Sequence, residues 1–160
     1  MKSENNMPRN RSLWLWTAIC ILTGLMSTQA FAWDSPKTAV EEFVKLDLLG
    51  GRLSSEQWST YIDQYVYAPK EYDEPGWDMA TIVTAYRIGK PACENNLCRV
   101  KVKYTLFPTK NLHDTSIARH ERGGRETLEF RVRNTAGNWK IEPQGEHPRI
   151  SIETYHKSRN

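Results

Sequence analysis

The chain has 160 residues, 22 Lys and Arg against 19 Asp and Glu, and three cysteines. That length suits one compact domain, and a hydrophobic content of 39% with a mean hydropathy of −0.66 fits a soluble globular protein. No stretch reaches the ~20 consecutive apolar residues of an ordinary spanning helix. A formal charge of +3 is too small to argue for nucleic acid, which is not expected as a partner.

Residues 1–12 are polar and basic, and Leu13 to Met26 form an uncharged apolar run of 14 residues. Ala30-Phe31-Ala32 then supplies a small-residue site. This is the three-part layout of a secretory signal peptide, with cleavage expected after Ala32 and a mature domain over residues 33–160. The chain is therefore expected to be exported, periplasmic or secreted, and to meet the membrane only transiently through residues 1–32. The rival reading keeps the segment as an uncleaved anchor. Cys20 lacks the small residues and leucine that a bacterial lipoprotein site places before its cysteine. Residues 33–160 number 128 and carry 19 basic and 18 acidic side chains, so the mature domain is nearly neutral. Its cysteines are Cys93 and Cys98, an even pair that reads as a disulfide across a hairpin in an exported protein. A redox motif would place two residues between the cysteines, whereas this chain has four.

Ser35-Pro36 starts a helix, as an N-cap oxygen followed by a proline at the first turn. The helix is expected to run to about Leu49 and stop at Gly50-Gly51. Ala39, Val40, Phe43, Val44, Leu46 and Leu48 form one apolar arc, and Asp47 falls in its middle. A carboxylate there is the most unusual feature of the chain, because burying an unpaired charge costs several kcal/mol. A second helix starts at Ser54 with Gln57 three residues on, and Trp58, Tyr61, Ile62 and Tyr65 share one face. Pro69 is expected to end it. An acidic loop with Tyr72 and Trp77 follows, read as a solvated loop or as a sugar-stacking surface.

From residue 79 the hydrophobic period falls to two. Thr81 to Ile88 alternates loosely. Cys98 to Phe107 alternates strictly, with Val100, Val102, Tyr104 and Leu106 inward and Arg99, Lys101 and Lys103 outward. In Arg125 to Asn134, Leu128, Phe130 and Val132 oppose Glu129, Arg131 and Arg133. A turn at Thr135 to Asn138 leads into Trp139 and Ile141, and Ile150 to His156 reads as either strand or short helix. The plan is α+β, with N-terminal helices packed on one face of a curved antiparallel sheet. Residues 33–80 hold ten acidic and four basic side chains, and residues 81–160 hold eight and fifteen. The basic face either solvates the sheet or meets an acidic partner.

The opening helix SPKTAVEEFVKLDLLGGRL, the second-helix SSEQWSTYI, PGWD at 75–78 and the closing NWKIEPQGEHPRIS carry a resemblance. In order and texture they resemble the nuclear-transport-factor-2-like, or cystatin-like, superfamily, and in particular its secreted bacterial members. The resemblance implies a cone-like roll with a pocket between helices and sheet. Its members include isomerases, dehydratases, cyclases and domains that only bind or dimerise, so fold does not deliver function. Pocket candidates by residue type are Asp47, Arg52, Trp58, Tyr61, Tyr65 and Tyr104. Asp47 is read either as a structural ion-pair partner of Arg52 or as a general base in the pocket. No catalytic role is carried over residue by residue.

His113-Asp114 and His120-Glu121 lack metal-ligand spacing, so no metal and no cofactor is expected. Signatures for nucleophilic, phosphate-loop, dinucleotide and zinc chemistry are missing from the sequence. The leading expectation is a non-catalytic exported binding or assembly domain. Its partner would be an envelope protein or a second copy, met through Arg99, Lys101, Lys103, Arg131 and Arg133. The alternatives are a small-molecule enzyme or carrier using Asp47 with nearby tyrosines, and a signal-anchored secretion component.

Overall fold

The computed structural model of the chain describes residues 33–69, 79–108, 123–143 and 145–158. Helix α1, Pro36–Leu48, begins as its capping residues dictate: Ser35 is extended and its Oγ accepts the Thr38 N–H at 3.1 Å. The helix ends in a paired-carbonyl cap, with Gly50 N–H donating to Asp47 O at 2.9 Å and Gly51 N–H to Leu46 O at 3.0 Å. Gly50 sits at φ +85°, a left-handed conformation that favours glycine. A Cβ on Gly51 would lie 2.5 Å from Leu46 Cδ1, so the turn closes tightly and returns Arg52 toward the helix it has just left.

Helix α2, Ser55–Tyr65, is capped by Ser54 Oγ accepting the Gln57 N–H at 3.3 Å. It stops before the expected Pro69. Val66 is already extended, buried, and bridged in parallel to Ile141, and Tyr67 N–H donates to Ile141 O at 2.8 Å. Pairing with the sheet outcompetes another helical turn. The shared face also loses a member, because Tyr61 is 40% exposed while Trp58 and Tyr65 are buried.

Among the described residues six strands follow: β1 Thr81–Ile88, β2 Ala92–Glu94, β3 Leu97–Leu106, β4 Gly124–Thr135, β5 Asn138–Ile141 and β6 Arg149–Ser151. They form a curled sheet in the order β5-β4-β3-β1-β6, with β2 pairing β3 beside β1. The expected all-antiparallel sheet is corrected at one edge, where β6 runs parallel to β1 through Thr81↔Arg149 and Ile82↔Ile150. The chain leaves β5, passes through the segment ending at Pro148, and returns to the far edge in the same direction as β1. The closing segment is both strand and helix, since α3, Ile152–Lys157, starts directly after β6 with Ser151 as its N-cap.

The alternation in β3 holds, with Val100, Val102, Tyr104 and Leu106 buried and Arg99, Lys101 and Lys103 exposed. These inner residues join Phe130 and Val132 of β4 and Val40, Phe43 and Val44 of α1 in the main core. The loose alternation of β1 has two causes: a register shift between Val83 and Ala85, and cover on both faces at its start. Val83 belongs to the main core, whereas Ile82 packs with Ala80, Ile150 and Tyr155 in a second cluster. Helices therefore do not all lie on one face, because α3 covers one end of the other face.

Cys93 and Cys98 are directly opposed in the β2–β3 register and disulfide-bonded, with Cα atoms 4.0 Å apart. The hairpin turns at Asn95, whose φ is +55°. Among the described residues, no helix is long and apolar enough to cross a membrane. The signal segment, the Lys70 to Asp78 loop and the two His-acid pairs lie outside the described residues.

Candidate functional site

Asp47 sits in the last turn of α1, 3% exposed, where helical phase places it among core side chains. Its Oδ2 accepts the backbone N–H of Arg149, the first residue of β6, at 3.0 Å. The Arg52 guanidinium lies 3.6 Å from the same oxygen, so the tight glycine turn serves to bring that charge back. Arg52 Nη2 donates to Glu146 O at 2.9 Å, and its planar group lies over the rings of Phe43 and Trp58 at 5.5 and 5.9 Å.

Arg149 is the second buried cation, 3% exposed. Its Nε and Nη2 donate to Glu126 Oε2 at 3.2 and 2.8 Å, and Nη1 donates to His147 O at 2.8 Å. Its carbon centre lies 5.1 Å from the centroid of the Tyr104 ring. Tyr104 is directly opposite Glu126 in the β3–β4 register, so both face the helices. Burial pushes the Tyr104 hydroxyl well above the usual tyrosine range, and the nearby Asp47 charge adds to the rise. Sequence reading missed Arg149 and Glu126. A signal for Glu126 existed, because it is in phase with Leu128, Phe130 and Val132 on the inner side of β4. None existed for Arg149, whose contact with Asp47 spans 102 residues.

Of the pocket candidates, Asp47, Arg52 and Trp58 line one cavity together with Phe130 and Arg149. Its volume is about 20 Å³, room for one or two water molecules, far below the roughly 300–1,000 Å³ of a small-molecule site. Tyr104 reaches the cluster through Arg149. Tyr65 lies elsewhere, stacked on Trp33 at 5.5 Å and set edge-on to Phe43 at 6.1 Å, and burial raises its pKa. Tyr61 is exposed and takes no part. Among the described residues, no group of His, Cys, Asp and Glu could hold a metal ion.

The outer face of the sheet carries a different arrangement. Strand register places Arg87 opposite Lys103, Arg99 opposite Arg131, and Arg133 opposite Lys140. Like charges directly opposed across strands are destabilising. Lys101 faces Glu129, which also lies 3.8 Å from Arg99. Glu142 holds Arg131 at 2.9 Å and Arg133 at 2.6 Å. Among the described residues, no carboxylate comes within salt-bridge distance of Arg87 or Lys103. These two line a depression of about 280 Å³ with Lys101 and Gly89. Gly89 is needed there, since a Cβ would lie 3.0 Å from the Lys101 carbonyl oxygen.

Comparison of the chain with protein-family models, with curated proteins and with solved structures returns no match.

Proposed function

We propose that the chain is an exported, non-catalytic binding or assembly domain of the nuclear-transport-factor-2-like kind, working in the periplasm or envelope through its outer sheet face. One observation carries this reading: Arg87 and Lys103, with no carboxylate partner among the described residues, stand directly opposed on an exposed face, beside exposed Arg99, Lys101 and Arg131. A partner rich in negative charge would relieve that repulsion. The Cys93–Cys98 disulfide and the layout of residues 1–32 support export. Capped N-terminal helices on a curled sheet support the fold family. An enzyme or carrier built on Asp47 has less support, because about 20 Å³ adjoins the carboxylate and its Oδ2 is already committed to the Arg149 N–H.

The test is light scattering of the protein purified from cells, with partner capture from envelope extract, repeated for Lys101→Glu with Arg131→Glu. Self-association or capture should fall in the variant. If neither responds, the outer face is not the docking surface. Mass spectrometry of the mature N-terminus should find Trp33 first; an intact N-terminus would instead favour the anchored reading.

A further inference from the structure

We infer that the outer sheet face docks on the phosphate-bearing surface of an anionic lipid bilayer. This rests on the face being a docking surface and names its partner. The exposed cations come from three neighbouring strands, β1, β3 and β4, so they spread in two directions. Strand spacing of about 4.8 Å and about 6.7 Å between alternate residues makes them a two-dimensional lattice. A linear polyanion follows a groove, whereas a lattice of cations matches a sheet of headgroups.

The side chains between the cations also decide among partners. Ala85, Thr105 and Thr127 share the face, and all three are small and exposed. Protein interfaces depend on buried aromatic or aliphatic anchors and are poor in lysine. The exposed Leu49, Leu53 and Tyr61 belong to α2 and the turn before it, and Tyr67 lies under Arg133 at the β5 edge. Apart from the half-buried Leu97 opposite Arg133, the described residues of this face offer charge and small side chains. Arginine forks and lysine ammonium groups both bind phosphate oxygens, and a surface without inserting side chains binds peripherally and reversibly. The depression at Arg87, Lys101 and Lys103 is where one headgroup phosphate would find the least internal competition, because neither Arg87 nor Lys103 has a carboxylate partner among the described residues.

The experiment is co-sedimentation of the disulfide-containing protein with two kinds of vesicle, equimolar phosphatidylcholine and phosphatidylglycerol, or phosphatidylcholine alone. Binding is expected only to the anionic vesicles, and it should be lost as salt rises from about 0.1 to 1 M and the screening length shrinks. Lys101→Glu with Arg131→Glu should lower partition by about tenfold or more, since each cation near an anionic leaflet contributes several-fold. Arg87→Gln with Lys103→Gln serves as a milder second variant and should lower it less. Lys45→Gln, on α1, should leave it unchanged. Equal binding to both vesicles, or binding that survives both double variants, overturns the inference. Displacement by inorganic phosphate at the same ionic strength would assign the site to free phosphate and also overturn it. If anionic vesicles fail to bind while partner capture still depends on Lys101 and Arg131, the docking face stands and the partner is an acidic protein.

Discussion

The two faces of the sheet treat charge in opposite ways. On the inner face Asp47, Arg52 and Arg149 are almost wholly buried, and each one is met by an opposite charge, a backbone group or an aromatic ring. On the outer face, cations stand directly opposite cations, and among the described residues Glu129 and Glu142 bridge some of them. Burial explains the difference. A charge removed from water must be compensated within the fold, because its desolvation costs several kcal/mol. A charge left in water is screened, so repulsion between neighbours is tolerable and the surplus remains open to a partner. Inner charges therefore organise the fold, and outer charges are its candidate means of recognition.

This contrast can be broken most severely at Asp47. Asp47→Ala leaves Arg52 and the Arg149 N–H without their buried acceptor and should cost about 3–5 kcal/mol, read from the urea unfolding midpoint. Asp47→Asn should cost less, because an amide oxygen still accepts from Arg149. Opening the hairpin comes next. Cys93→Ser with Cys98→Ser removes a small ring and should cost about 2 kcal/mol by the chain-entropy argument. The loss should match that of the reduced wild type.

A smaller effect appears at high pH. The folded state holds the Tyr104 proton more tightly than the unfolded chain does, so its contribution is complete below the unfolded pKa of about 10. Stability should then fall by about 1.4 kcal/mol per pH unit as pH rises above that value toward the folded one. Tyr104→Phe should flatten this slope, checked by melting temperature across the alkaline range. The smallest effect on stability belongs to the outer face. Lys101→Glu with Arg131→Glu should shift unfolding by no more than about 0.5 kcal/mol while abolishing docking. A large loss of stability there would erase the distinction between the two faces.

The local features of this protein are written in its sequence. Ser35-Pro36 and Gly50-Gly51 set the bounds of α1 because caps act over one turn, and strict alternation places each β3 side chain because a strand has only two faces. The Cys93–Cys98 pairing is local too, five residues apart across one hairpin. Asp47 could even be singled out as anomalous from helical phase alone. Its answer could not be found the same way, because Arg149 lies 102 residues downstream and meets it only through the parallel pairing of β6 with β1. The same pairing puts α3 on the outer side of the sheet and gives β1 two buried faces. The early end of α2 and the exposure of Tyr61 likewise depend on Val66 joining Ile141. Propensity and periodicity report what a segment does with its neighbours in the chain. Which distant segment compensates a buried charge, or covers a strand, is decided only when the whole chain packs and every buried polar group must find its partner.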